Sequence, residues 1–124
     1  MSVRFTVAEV IRATCQVYGL EAHHLRFGAD LDIPSRKRLI SAGHVVEARC
    51  VASFVARRFT GQSYPQIAGR LNYAQHTSVI YGERRIIQRI AADEPLRNRV
   101  AAVIGRLVNN TAIPAVAQRQ EAAP

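Results

Sequence analysis

Four consecutive hydrogen-bonding side chains, Gln75-His76-Thr77-Ser78, open a stretch whose helical spacing puts Tyr81, Arg84 and Arg85 on or beside the side of Thr77. An amide, an imidazole and two hydroxyls can donate to and accept from the edges of bases. Guanidinium forks behind them suit phosphate oxygens and guanine. Catalytic chemistry has no comparable support. No Ser/His/Asp order, carboxylate pair or Cys/His pair stands in a suitable context, so no enzymatic activity is expected. His23 and His24 are adjacent and are expected to face different directions, which argues against a metal site; His44 reads as a solvated helix-start residue. Cys15 and Cys50 lie within apolar helical patterns without metal-ligand spacing and read as small core hydrophobes in a reducing compartment.

Position along the chain decides which elements carry these groups. Thr6 with Glu9 three residues later is a capping box, and Val7, Val10, Ile11, Thr14 and Val17 follow at helical spacing until Gly19. A short helical turn is expected over His23–Phe27, then a loop over residues 28–43 that contains Arg36-Lys37-Arg38. Between His44 and Phe59 the apolar stripe Ala48, Val51, Ala52, Val55, Phe59 predicts a helix, with Arg49, Ser53 and Arg57 pointing away from that stripe. Gly61 ends it. Ser63 and Gln66 form a second capping box, with Pro65 in the first turn where its missing N–H costs nothing. Asn72-Tyr73-Ala74 has room only for a tight turn. A longer helix is predicted over Gln75–Ile90, with Val79, Gly82, Ile86 and Ile90 buried, Ile80 and Ile87 at the margin, and Thr77, Tyr81, Arg84 and Gln88 outward. A last helix runs from about Pro95 to Val108.

Short helix, tight turn and longer helix form a helix-turn-helix, whose second helix fits the DNA major groove and reads base edges with its N-terminal residues. No strand and no internal repeat is legible. The expected fold is all-α: a compact bundle of five to six helices in one domain over residues 1–108, followed by a disordered tail over 109–124. The charge agrees with a polyanionic partner. Of the 17 basic residues 16 are arginine, and the net charge is +8. Residues 34–90 hold ten basic and two acidic residues, so the whole excess lies in the middle of the chain. No secretory leader and no run of membrane-spanning length is present, so a cytoplasmic protein without membrane association is expected.

The sequence Phe59-Thr60-Gly61-Gln62-Ser63-Tyr64-Pro65-Gln66-Ile67, then His76-Thr77-Ser78-Val79-Ile80 and Arg84-Arg85-Ile86, resembles the C-terminal DNA-binding domain of the bacterial replication initiator DnaA. That family's approximate pattern is L-T-x-x-S-L-P-E-I-G, then G-G-R-D-H-T-T-V, then R-K-I. The resemblance spans about residues 5–108. It implies a Trp-repressor-like helix-turn-helix that binds double-stranded DNA. His76 and Thr77 match base-contacting positions, and Ser78 stands for a threonine of the same helix. Pro65 matches a position lying against DNA beside the cap Ser63, and Arg49 and Arg57 match backbone-contacting basic positions. Arg36, Lys37 and Arg38 are similar to a basic loop that enters the minor groove.

Two positions depart from the pattern: Ala74 and Gln75 stand where the family has Arg-Asp. Loss of a base-reading arginine removes on the order of 1–3 kcal/mol of discrimination. An amide in place of a carboxylate can donate as well as accept. A changed target sequence is therefore expected, with non-specific affinity retained through the phosphate contacts. No G-x-x-x-x-G-K-[ST] loop is present, so neither ATP nor any other cofactor is expected. The leading expectation is a stand-alone DNA-binding regulator of replication initiation or transcription. The alternative is a protein-interaction adaptor of the initiation machinery that keeps the fold but binds DNA weakly, with replication-initiation proteins as partners.

Overall fold

Thr6 starts the first helix by a reciprocal exchange: its hydroxyl accepts from the Glu9 N–H at 3.1 Å, and the Glu9 carboxylate accepts from the Thr6 N–H at 2.7 Å. In the computed structural model, residues 5–27 and 42–111 are described. They form α1 (Val7–Tyr18), α2 (Ala22–Phe27), α3 (Ala42–Phe59), α4 (Tyr64–Arg70), α5 (Thr77–Ile90) and α6 (Glu94–Thr111), with no strand among the described residues. The all-α helix-turn-helix class expected from periodicity is the one found. Gly19 ends α1 at φ 66° and Gly61 follows α3 at φ 70°, both left-handed positions where a Cβ is unfavourable.

α3 is the central element and packs against each of the other five helices. Its apolar stripe is buried from Ala48 to Val55 and half-buried at Phe59, but Cys50, Ser53, Phe54 and Ala56 on other sides are buried too. The face through Arg49, Ser53 and Arg57, which points away from that stripe as expected, is thus itself covered at Ser53. Ser53 is fully buried, and its hydroxyl is satisfied internally by donating to the Arg49 carbonyl at 2.9 Å. A stripe at helical spacing identifies one buried side and says nothing about a second layer arriving on the other. That layer is α5. Gly82 brings its backbone against α3, where a Cβ would stand 3.2 Å from the Cα of Cys50 and 3.4 Å from the Ser53 hydroxyl oxygen.

The remaining core joins Val10, Leu25, Val45, Val51, Val55, Ile67, Leu71, Val79, Ile86, Leu96, Val103 and Leu107, all essentially inaccessible. Each such side chain contributes about 1.5–3 kcal/mol on burial. Several boundaries differ from the periodic reading. α3 begins at Ala42 rather than His44, taking Gly43 into its first turn. α6 begins at Glu94, where the Asp93 carboxylate accepts from the Leu96 N–H at 3.0 Å. It continues past Val108 into the start of the expected tail, and the Asn110 amide donates to Gln16 of α1 at 2.9 Å. The imidazoles of His23 and His24 meet with centroids 4.2 Å apart rather than diverging. His44 is hydrogen-bonded through Nε2 to the Tyr18 carbonyl at 2.8 Å, so it is not merely solvated.

Candidate nucleic-acid interface

α4 opens with the predicted second capping box: Ser63 accepts from the Gln66 N–H at 3.3 Å while the Gln66 side chain accepts from the Ser63 N–H at 2.9 Å. Pro65 stands in the first turn and is exposed. Asn72 then takes φ 60°, reversing the chain, and the Tyr73 N–H donates back to the Ala68 carbonyl at 2.9 Å. The turn is longer than predicted. α5 begins at Thr77, not Gln75, because the His76 carbonyl is the first to accept an i→i+4 bond, from the Ile80 N–H at 3.3 Å, while the Gln75 carbonyl accepts only the tighter i→i+3 bond from Ser78. Gln75 and His76 therefore project from the turn, ahead of the helix.

Gln75, His76, Thr77, Tyr81, Arg84, Arg85 and Gln88 are all exposed, and Ser78 is half-buried. Tyr81 is 63% exposed although it is aromatic. Its hydroxyl accepts from Arg85 Nη1 at 3.4 Å, and Thr77 donates to the Gln75 amide oxygen at 3.4 Å. No acidic residue stands in the first turn of α5. Its leading N–H groups thus carry the positive end of the helix dipole with no acid beside them, and Arg84 and Arg85 stand exposed further along α5. A groove of about 440 Å³, lined by Val46, Arg49, Cys50, Tyr73, Thr77, Ser78 and Tyr81, runs along one flank of the turn and α5. A second hollow of about 390 Å³, which shares Tyr73 and Thr77 with the first, lies between Pro65 and His76.

Arg49 and Arg57 are only half-exposed, and both engage the protein itself. Arg49 Nη2 donates to the Leu71 carbonyl at 3.2 Å, and its guanidinium carbon sits 4.1 Å above the Tyr73 ring. Arg57 Nη1 donates to the Gln62 carbonyl at 3.1 Å, and its guanidinium carbon is 4.5 Å from the centre of the Tyr64 ring. Arg36, Lys37 and Arg38 lie outside the described residues.

Glu83 is the important residue absent from the buried set read from the sequence. It occupies the inner side of α5, 8% exposed, and accepts a 2.7 Å hydrogen bond from the Tyr64 hydroxyl. Its spacing, four after Val79 and three before Ile86, puts it on the buried side of α5, but a carboxylate there reads as a surface residue by type, and its partner lies on another helix.

The far end of α5 is held by a charge network around Glu47 of α3. Glu47 accepts from Tyr18 at 2.7 Å and from Arg99 at 2.8 Å, and lies 3.5 Å from Arg89, which also pairs with Asp93 at 2.8 Å. Burial alone would raise the Glu47 carboxyl, but the hydrogen bonds from Arg99 and Tyr18 and the charges of Arg99 and Arg89 bring it below the usual carboxylate range. Burial, then the Glu47 carboxylate, push the Tyr18 phenol up. Burial and Glu21 raise the Cys15 thiol to about 11, and burial raises Cys50 despite neighbouring arginines. Both thiols stay protonated near neutrality, which makes them poor nucleophiles. Among the described residues no three His, Cys, Asp or Glu side chains converge as a metal site, and no helix is long and apolar enough to cross a membrane.

A family model for the bacterial DnaA protein helix-turn-helix matches residues 7–86. The chain is 32% identical over 100 residues to the chromosomal replication initiator protein DnaA of Sphingopyxis alaskensis, covering 81% of this chain and 20% of that protein. Against the initiator of Thermomicrobium roseum it is 32% identical over 106 residues, covering 85% and 20%. Against that of Roseiflexus castenholzii it is 37% identical over 67 residues, covering 54% and 14%. The chain thus corresponds to about a fifth, or less, of the length of these relatives.

Proposed function

Because the chain belongs to the bacterial DnaA helix-turn-helix family, we propose that it binds double-stranded DNA by laying the N-terminal end of α5 in the major groove. One observation carries this reading: Gln75, His76 and Thr77 are all exposed at an end of α5 that has no acid in its first turn. In this assignment Gln75, His76, Thr77 and Ser78 face base edges. Ser63 and Pro65 bring the start of α4 against the backbone, while Tyr81, Arg84 and Arg85 follow the groove walls. Arg36, Lys37 and Arg38 supply further phosphate or minor-groove contacts.

The relatives are named as chromosomal replication initiators, which supports a role as a regulator at initiation sites or of local transcription, acting in the cytoplasm on the nucleoid. This activity would need neither an ATPase nor a cofactor. Ala74 removes the arginine of the family pattern, and Gln75 can pair bidentately with adenine, so the recognised sequence differs from the usual family box.

Selection of bound duplexes from a random pool, followed by titration against salt, tests the proposal. A sharp consensus with a steep salt slope is expected, each phosphate contact adding about 0.9 to the slope of log affinity against log salt. Binding indifferent to salt would sink it. A flat pool with salt-sensitive binding would favour the protein-interaction adaptor, for which Ala74 and Gln75 are the supporting observation.

A further inference from the structure

The two arginines on the flank of α3 make a matched pair of contacts, one on each side of α4. Arg57 reaches the entry loop, donating to the Gln62 carbonyl at 3.1 Å with its guanidinium against Tyr64 at 4.5 Å. Arg49 reaches the exit turn, donating to the Leu71 carbonyl at 3.2 Å with its guanidinium over Tyr73 at 4.1 Å. In each case the charge sits near a ring while one arm of the fork holds a carbonyl at a helix boundary. A planar guanidinium lays its centre against the ring while an outer arm holds the carbonyl, whereas a lysine ammonium would have to meet both from a single nitrogen. Tyr64 extends the first contact to α5 through its 2.7 Å hydrogen bond to Glu83. Arg57, Tyr64 and Glu83 therefore link α3, α4 and α5 in series. Arg49 also has a buried Nε without a hydrogen-bond partner, which shows how far its side chain is drawn into the protein.

We infer that Arg49 and Arg57 are positioning residues: they fix the two boundaries of α4, and so the pose in which Gln75, His76 and Thr77 are presented, rather than serving chiefly as phosphate contacts. Leu71, whose carbonyl Arg49 holds, precedes Asn72, the residue with φ 60° that reverses the chain toward those side chains. Releasing that carbonyl loosens the turn that aims them. Positive charge in the region would survive on Arg84 and Arg85, so loss of either clamp blurs reading more than it weakens general attraction. This inference rests on the DNA-binding proposal only for its affinity readout.

The test compares Arg49→Lys, Arg49→Ala, Tyr73→Phe and Tyr73→Ala on two duplexes, the consensus recovered from the random pool and a scrambled duplex of equal length. Lysine keeps the charge and loses the fork, so Arg49→Lys is expected to lower affinity for the consensus about tenfold, the scale of one cation–π contact with a carbonyl hydrogen bond. Affinity for the scrambled duplex and the salt slope are expected to stay as in the parent. Tyr73→Phe keeps the ring and should bind as the parent does, whereas Tyr73→Ala should behave as Arg49→Lys. If Arg49→Lys binds both duplexes like the parent while Arg49→Ala shortens the salt slope by about 0.9, Arg49 is a phosphate contact and the inference is overturned.

Amide hydrogen exchange at Asn72 and Tyr73, without DNA, separates failure of this inference from failure of the DNA reading. Faster exchange in Arg49→Lys and Tyr73→Ala, but not in Tyr73→Phe, is the expected pattern. Equal exchange in all of them would overturn the clamp even if the pool gave a sharp consensus. Should Arg49→Ala fail to fold, the comparison of Tyr73→Phe with Tyr73→Ala still decides.

Discussion

A Cβ on Gly82 would stand 3.2 Å from the Cα of Cys50, so α5 meets α3 where even a methyl group needs the backbones to give by a few tenths of an ångström. This approach sets how far α5, and with it Thr77 and Tyr81, stands from the core. Gly82→Val would force the helices apart and is expected to destabilise the protein by about 1–3 kcal/mol, seen as a lower urea midpoint. Gly82→Ala sets a smaller clash against a helix-propensity gain of about 1 kcal/mol and should lie near neutral. A midpoint for Gly82→Val equal to the parent's would show that the approach is slack.

Tyr64 and Glu83 join α4 to α5 by a second route. Removing the hydroxyl with Tyr64→Phe leaves a buried carboxylate without that donor. A loss of about 1–3 kcal/mol is expected in denaturant unfolding. Glu83→Gln retains an acceptor for the Tyr64 hydroxyl and should cost less. The reverse order of the two variants would count against the hydrogen bond as the reason Glu83 is buried.

Acid should weaken the fold through Glu47. Its carboxyl lies below the ordinary carboxylate range when folded, so the unfolded chain takes up a proton first as pH falls. The stabilisation is fully present above the unfolded value and is lost as pH drops through the depressed folded one. Glu47→Gln, which cannot titrate, should show a flatter dependence of urea midpoint on pH across that acid window. An unchanged profile would show that Arg99, Tyr18 and Arg89 do not hold the carboxylate in solution.

Base reading and phosphate attraction should separate by residue. His76→Ala and Thr77→Ala are each expected to relax the selected consensus, at about 1–3 kcal/mol for each base left unread, with little change in salt slope. Arg84→Ala and Arg85→Ala should weaken consensus and scrambled duplexes alike and reduce the slope by about 0.9 for each phosphate no longer neutralised. Gel-shift titrations at several salt concentrations distinguish the two patterns. Identical behaviour of all four variants would contradict the orientation proposed for α5.

Features confined to a few adjacent residues are legible from the amino-acid order. The capping boxes Thr6–Glu9 and Ser63–Gln66, the stops at Gly19 and Gly61, and the buried stripe through Val79, Gly82 and Ile86 all depend on neighbours within a helical turn or two. Such interactions are written directly into spacing. The outward disposition of Thr77, Tyr81, Arg84 and Arg85 follows from the same periodicity.

What required the tertiary structure was the far partner of each polar side chain. Spacing alone places Ser53 away from the buried stripe, yet it is buried because α5 covers it; Arg49 and Arg57 share that spacing and are turned onto carbonyls and rings flanking α4. Glu83 stands at the spacing of the buried stripe, but what accommodates a carboxyl there is the Tyr64 hydroxyl arriving from α4. A chain encodes its helices through interactions of short range. Which charge is enclosed and which is left to meet a partner is settled only when helices distant in sequence pack and water is excluded between them.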